Sequence, residues 1–449
     1  MLALFPGHAR AQAASRPLIA LNRWSEDWSV LADPKVPREP LDQLKYIPLS
    51  GGDTQTYLSF GANLRERLEV NNPQFGIGSS RQSSDLLSRL QAHSDLRIAG
   101  QVQVFVQVQS DVAPGKRVLS PVDQDHLDLE QAFVALTEPL ADGTLFVRVG
   151  RQEVGFDLQR FLSVRNGPNV RQAYDGATVA YTTGPWRFIA LYTDPVHSRD
   201  LRPFDDYSSP HLTFGLVRIE RKIGASSLSA YIGRFRQDGA RFPSASGNER
   251  RDIVDLRFTG AAAAYDWDVE GMIQNGSIGV RSIHAWATGA VVGRTFAASP
   301  FRPRLSLQFD AASGDKSLSD NQLNTFNPLF PSGSYFNTAG YQTYANLLHV
   351  KAGLTVTPRD RLRLGAGIGG EWRETVTDAI YTIPDVAVPG TAGGGGRYVG
   401  AYGELRADYA VTSHVALALE FVHFSAGPTI MSAGGHDTDY FGTEVRYGW

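Results

Sequence analysis

The sequence predicts an all-β protein, a transmembrane antiparallel up-and-down β-barrel of about eighteen strands with short periplasmic turns and long extracellular loops. Three observations carry that prediction. From Tyr57 onward the chain repeats about ten residues of alternating character followed by a turn. The connections between these units alternate between tight and long. The last unit, from Phe441 to Trp449, alternates as well and ends on an aromatic residue.

Alternation matters because successive side chains of a strand point to opposite faces. Val102, Val104, Val106 and Val108 alternate with Gln101, Gln103, Gln107 and Gln109. Leu305, Leu307 and Phe309 alternate with Arg304, Ser306, Gln308 and Asp310, and Leu362, Leu364, Ala366 and Ile368 alternate with Arg361, Arg363, Gly365 and Gly367. This pattern predicts strands near 57–70, 86–99, 101–111, 126–137, 144–151, 175–183, 186–193, 211–222 and 227–236. The second half adds 250–260, 264–275, 282–295, 303–313, 346–357, 361–374, 398–411, 414–425 and 438–449. The strands around 212–236 and 282–295 show no clean division into two faces.

Tight connections are expected at Ala99-Gly100, Thr183 to Pro185, Gly260 to Ala263 and Thr357 to Asp360. Longer loops are expected at 71–85, 112–125, 152–174, 194–210, 237–249, 314–345, 375–397 and 426–437. Short turns on one rim, long loops on the other and an even strand count characterise bacterial outer-membrane barrels, whereas a β-sandwich has no such rhythm. In the last strand Phe441, Thr443, Val445, Tyr447 and Trp449 share one face, with Gly442, Glu444 and Arg446 on the other.

Composition narrows the alternatives. Cysteine is absent, which removes disulfides and thiolate metal sites. No run of eighteen apolar residues occurs, and mean hydropathy is −0.22, so a helical membrane protein is excluded. A barrel is compatible with such low hydropathy because only every second strand residue meets lipid. The 43 basic residues include only six lysines, leaving 37 arginines. Arginine grips carboxylates through a planar fork that stays charged.

Three segments are expected: a signal-peptide remnant at 1–13, a lead-in or plug at 14–56 and the barrel at 57–449. Leu2 to Phe5 and Ala11-Gln12-Ala13 fit the end of a secretory signal and its cleavage site. Trp24 and Trp28, followed by four prolines between Pro34 and Pro48, read as a periplasmic segment that seeks burial rather than a strand.

With the apolar face toward lipid, the polar face lines the lumen. Arg65, Arg67, Arg89, Arg97, Arg148, Arg257, Arg304, Arg361, Arg363, Arg373 and Arg406 are expected there, beside Asp95, Asp255, Asp266, Asp268, Glu270, Asp310, Glu371, Glu404 and Asp408. Arg151, Arg160, Arg165 and Arg171 lie in the densest basic loop, expected to fold inward because Phe156, Leu158, Phe161, Leu162 and Val164 accompany them. A ring of arginine would make a pore attractive to anions. Gly365, Gly367 and Gly369 share the polar face and are expected to leave room for bulky cargo.

Other motifs carry less. Gly365 to Gly370 matches GxGxxG by letter but sits mid-strand with no following helix. Residues 314–321 are acidic without EF-hand spacing and read as a polar loop. There is no GxSxG, and Asp266 and Asp268 are matched by arginines, so hydrolytic chemistry is disfavoured. No metal, cofactor, nucleic-acid partner or catalytic residue is expected.

The segments EDWSVL (26–31), LDQLKYIPL (41–49), VGRQEVGF (149–156), RNGPNVRQAYDG (165–176) and SGDKSLSDNQLNTFNPLFPSGSYF (313–336) resemble the alginate-export outer-membrane porins, from about Trp24 to the C-terminus. The resemblance implies a monomeric eighteen-stranded barrel with an arginine-lined selective pore. It also implies an anionic polysaccharide as cargo and a periplasmic export scaffold as a partner, beside outer-membrane lipid and lipopolysaccharide. Export of a polymer such as alginate and selective uptake of small anionic solutes both fit. An outer-membrane lipase or deacylase fits poorly, for want of a Ser/His arrangement.

Overall fold

The computed structural model describes residues 16–77 and 82–449, so the signal segment expected at 1–13 lies outside the described residues. Eighteen antiparallel strands form one sheet that closes on itself. The first nine are β1 (Tyr57–Asn71), β2 (Ser83–Ile98), β3 (Val102–Val112), β4 (Asp125–Leu140), β5 (Gly143–Gln152), β6 (Tyr174–Thr183), β7 (Trp186–His197), β8 (Leu212–Ile223) and β9 (Ser226–Arg241). The second nine are β10 (Ser246–Ala262), β11 (Tyr265–Ile278), β12 (Arg281–Thr295), β13 (Arg304–Ala312), β14 (Leu347–Arg359), β15 (Leu362–Trp372), β16 (Tyr398–Ala410), β17 (Val415–Ala426) and β18 (Thr438–Gly448). Each pairs with its sequence neighbours, and β1 closes on β18 from Asn63 opposite Gly448 to Asn71 opposite Tyr440. Closure leaves no unpaired strand edge, which a sheet in hydrocarbon cannot tolerate.

The two faces follow the alternation. Val254, Leu256 and Phe258 of β10 are exposed, while Ile253 and Asp255, which alternate with them, are buried. Leu64 and Leu68 of β1 are exposed and Arg65 and Arg67 are buried. One face therefore presents hydrocarbon to lipid, and the other fills the interior. Two-residue hairpins at 141–142, 184–185, 224–225 and 263–264 make the short-turn rim, each with positive φ at its first residue, as primed turns require.

The long-loop rim departs from expectation at one place. The loop predicted at 237–249 is mostly strand, because β9 and β10 stay paired out to Arg241 opposite Ser246, with a register shift between Gln237 and Ala240. Gly239 and Gly247 adopt positive φ there, so glycines that read as loop form a bulge instead. Ala240, Phe242 and Ala245 are buried against the loops inside the barrel.

Those inner loops fill the half of the lumen near the long-loop rim. Loop 153–173 meets loop 313–346 through a Leu162–Phe330 bridge, and the Phe330 and Ser332 amides donate to the Phe161 and Gln159 carbonyls at 3.0 and 3.1 Å. Phe161, Phe326, Phe330, Phe336 and Tyr344 pack there with Tyr174, Phe214 and Phe235 from the wall. The other end is occupied differently. Residues 16–56 lie against the short-turn mouth, and Trp24 enters the lumen edge-on to Phe133 with the Arg148 guanidinium 4.7 Å from its ring. Arg23 donates to the carbonyls of Ala62 (3.1 Å) and Trp449 (2.8 Å), while Arg97 and Gln103 donate to that of Trp24. Trp28, Leu31 and Val36 bury against Tyr57.

Candidate transport site

The lumenal arginines divide by what their guanidinium groups meet. Arg65 and Arg89 stand directly opposite each other on β1 and β2 and both hold the Asn166 to Asn169 turn of loop 153–173. Arg65 donates to the carbonyls of Asn166 (2.7 Å) and Pro168 (2.9 Å) and to Asn169 Oδ1 (3.1 Å). Arg89 donates to Asn166 Oδ1 (3.0 Å) and to the carbonyls of Asn169 (2.7 Å) and Pro168. Asn169 Nδ2 completes the clamp on the carbonyls of Ser88, Val112 and Asp123. Arg373 does the same for loop 373–397, donating to five backbone carbonyls from Val376 to Gly396. A guanidinium suits this work because it presents five donors in one plane.

A second group is neutralised by carboxylates. Arg67 meets Glu69, Glu420 and Glu444 within 3.1 Å, and Tyr440 as well. Arg160 crosses from the inner loop to Asp268 (2.6 Å), Glu270 (2.7 Å) and the Tyr335 hydroxyl (2.7 Å). Arg171 pairs with Glu153 at 2.6 Å, and Arg257 bridges Asp157 (2.8 Å) and Asp268. Arg97 pairs with Asp95 at 2.9 Å. Arg148 forms no ion pair among the described residues; it donates to Gln152 (2.7 Å) and lies between the rings of Trp24 and Phe133.

Arg151 lies elsewhere. It shares the outward register of the exposed Val149 and is bound to Asp175 at 2.8 Å and to the carbonyls of Leu129 and Asp206. Its register on β5, opposite Ala132 and Asp175, sets it on the outer face near the long-loop rim, so its expected place in the lumen is corrected. The glycines also differ from expectation. A side chain at Gly367 would meet Lys351 and one at Gly369 would meet the Tyr402 ring, so only Gly365 fronts open space.

Two places keep arginine accessible. The first is a cavity of about 300 Å³ near the long-loop rim, lined by Arg165, Arg171, Gln172, His197, Gln237, Phe330 and Asp385 among others. Arg165 donates to Gln172 Oε1 at 3.1 Å and rests over the Phe330 ring. Its Nε has no hydrogen-bond partner, and no carboxylate pairs with it among the described residues. Burial holds its guanidinium below the usual arginine value. Burial also pushes the Asp385 carboxyl up to about 6, with Glu249 adding to the rise and Arg251 and Arg165 opposing it.

The second place is the lumenal wall of β13 to β18. Arg363 faces the lumen opposite Asp408, is exposed, and has no ion pair or side-chain hydrogen bond among the described residues. Arg406 binds Asp408 (2.8 Å) and Glu420 but remains 37% exposed at its side chain, and Arg304 on Asp266 (2.5 Å) is 27% exposed. Arg361 is exposed at the short-turn rim and donates to the Val411 carbonyl at 3.1 Å.

Several cationic residues of the interior are absent from those the sequence led us to expect there, Arg218, Arg251, Lys351 and Arg446 among them. Arg218 binds Asp157 at 2.6 Å, and Arg251 binds Glu249 (2.5 Å) and Gln274 (2.8 Å). Lys351 binds Glu404 at 2.5 Å, and Arg446 sits on Glu444 at 2.9 Å. Arg218 lay in a strand without a clean alternation; Arg251 is next to Arg250, and only the buried Ile253 and Asp255 downstream tell which of the two faces inward.

A profile of the alginate export family matches residues 56–444. No curated protein sequence matches the chain. Solved barrels of Pseudomonas aeruginosa share the fold. Outer membrane protein opdK matches with a TM-score of 0.58 and 11% identity over 87% of this chain and 98% of its own. OccK11 (OpdR) matches with a TM-score of 0.56 and 12% identity over 87% and 95%. OccK2 (OpdF), solved in complex with glucuronate, matches with a TM-score of 0.56 and 10% identity over 87% and 97%.

Proposed function

The chain belongs to the alginate export family, and from that premise we propose that it is a channel selective for carboxylate-bearing saccharides, passing anions of about one sugar ring. The barrel resides in the bacterial outer membrane. One observation carries the choice of solute: Arg165, a half-buried cation that no carboxylate pairs with among the described residues, lines a cavity of about 300 Å³. A guanidinium so placed favours a planar carboxylate, which it binds through two parallel hydrogen bonds. Gln172, Gln237 and His197 are on hand for hydroxyl groups. That volume is at the lower end of small-molecule sites. The glucuronate in the OccK2 structure is a solute of the same class, seen in a barrel of the same fold.

The family favours a second reading, export of an anionic polysaccharide such as alginate, with a periplasmic scaffold delivering the polymer to a monomeric barrel. Loops 153–173 and 313–346 would then have to part, since they meet across the lumen. The arginines at either end of the lumen would serve as pore-lining contacts in both readings, Arg165 and Arg171 at the outer end and Arg304, Arg361, Arg363 and Arg406 at the inner. The more deeply bonded arginines would hold the loops that shape the path.

Single-channel recording in planar bilayers tests this. The expected result is anion selectivity and current block by glucuronate, with Arg165→Gln weakening the block about tenfold, the loss of one charge-assisted pair worth about 1.4 kcal/mol. A cation-preferring pore, or block unchanged in Arg165→Gln, would sink the proposal. Block by long alginate chains with no response to glucuronate would select export.

A further inference from the structure

The outer wall of β9 to β12 changes character within one step of the pleat. Ile232, Val254, Ile273 and Trp286 form one cross-strand row, all exposed on the lipid-facing side. The next row toward the long-loop rim is Arg234, Asp252, Asn275 and His284, and above it come Arg236, Arg250, Ser277 and Ser282. Rows two residues apart along a strand are about 7 Å apart. Below, the apolar band runs down to Trp267, whose ring lies 5.8 Å from that of Phe258. From Tyr265, the exposed aromatic two residues further down, to Ile273 is eight residues, about 26 Å along the strand and about 20 Å of height at a strand tilt of about 40°, against a hydrocarbon band of about 25 Å. The charged rows therefore stand where the hydrocarbon of the outer leaflet gives way to headgroups.

The charge there is not balanced. Asp252 accepts from Arg234 at 2.5 Å and from Arg250 at 3.0 Å, one carboxylate for two guanidinium groups. Arg236 stands directly opposite Arg250 and has no ion pair or side-chain hydrogen bond among the described residues. Like charges directly opposite on one face of a sheet repel and destabilise the pair. An anion seated between them would remove that repulsion.

We propose that Arg234, Arg236 and Arg250 form a binding site for a lipid phosphate, namely that of the lipopolysaccharide building the outer leaflet. Guanidinium forks take phosphate oxygens in pairs. The acyl chains of the same molecule lie along the Ile232 row beneath, where burial of apolar surface adds to the affinity. His284, bound to Asn275 at 3.0 Å, closes the polar row on the side of Trp286.

The test uses the full-length barrel in detergent, with purified lipid A, dephosphorylated lipid A and phosphatidylglycerol as probes and bound lipid counted by native mass spectrometry. Wild-type protein should bind lipid A at least tenfold more tightly than either of the other lipids. The variant Arg236→Ser/Arg250→Ser should lose at least tenfold. The variant Arg221→Ser/Arg294→Ser, which removes two exposed arginines near the short-turn rim on β8 and β12, should bind as wild type. Heat-modifiable migration on a gel checks that each variant is folded. Equal binding of dephosphorylated lipid A or of phosphatidylglycerol by wild-type protein overturns the site without any variant. Unchanged binding in Arg236→Ser/Arg250→Ser, or equal loss in both variants, overturns it as well.

Discussion

On the β1–β2 wall, Arg65 and Arg89 face each other across the strand pair, and every strong bond they make runs to a single turn of the inner loop. On the β15–β16 wall, Arg363 occupies an equivalent lumen-facing register opposite Asp408, yet is exposed. The chemistry of the residue and the face it occupies are the same. What differs is whether a loop descends onto that stretch of wall. Where loop 153–173 does, arginine becomes scaffold. Where none does, arginine is left to whatever passes through.

The sharpest way to break this comparison is to remove the clamp. Arg65→Met/Arg89→Met keeps bulk in the lumen but strands the Asn166 and Pro168 carbonyls without donors. We expect a loss on the order of 3 kcal/mol in barrel stability by urea unfolding in micelles, since bonds from charged donors to buried acceptors are lost. Conductance should also rise severalfold as the turn leaves the wall. Unaltered conductance together with unaltered stability would show that the turn is held by something else.

Most of the architecture was legible because a barrel writes its two environments into alternate residues. Clear strands such as Val102–Val112 and Leu362–Trp372 lie within a residue or two of their expected bounds. Hairpins that turn through glycine bulges, as at Gly239 and Gly247, look like loops in sequence because flexibility and bulging call for the same residue. The inner-loop arginines were readable as inward by their aromatic neighbours, and Arg160, Arg165 and Arg171 do lie inside. Their partners were not readable. Glu153 for Arg171 is near in sequence, but Asp268 and Glu270 for Arg160 are more than a hundred residues away. Only closure of the barrel brings them together, while the register of β15 on β16 sets Gly369 against the Tyr402 ring rather than open lumen.

A smaller effect sharpens the contrast between the two accessible places. Asp385 lines the same cavity as Arg165, and burial has pushed its carboxyl up to about 6 from an ordinary 3.8. A raised acid favours the protonated form in the folded protein. That stabilisation is complete below about pH 4 and is lost as pH rises through about 6. For the solute the consequence is electrostatic. At pH 7.5 the ionised carboxylate opposes an anion beside Arg165, and by pH 5 the opposition has gone. Glucuronate block should strengthen severalfold between those values, and Asp385→Asn should hold the stronger block at both. A pH dependence that survives in Asp385→Asn would show that Asp385 is not the group responsible.

Arg363→Glu gives the smallest expected change and the most specific one. The side chain is exposed in a water-filled stretch, where salt screens a single charge over about 10 Å at 0.1 M. Stability should stay within about 0.5 kcal/mol of wild type, because no bond among the described residues is broken. The reversal potential in a salt gradient should move toward cations by a few millivolts at 0.1 M and by less at 1 M, where the screening length falls to about 3 Å. A shift that persists at 1 M would mean that Arg363 contacts the permeant ion directly. No shift at low salt would mean that Arg406 on β16 and Arg446 on β18 set the potential of that wall without it.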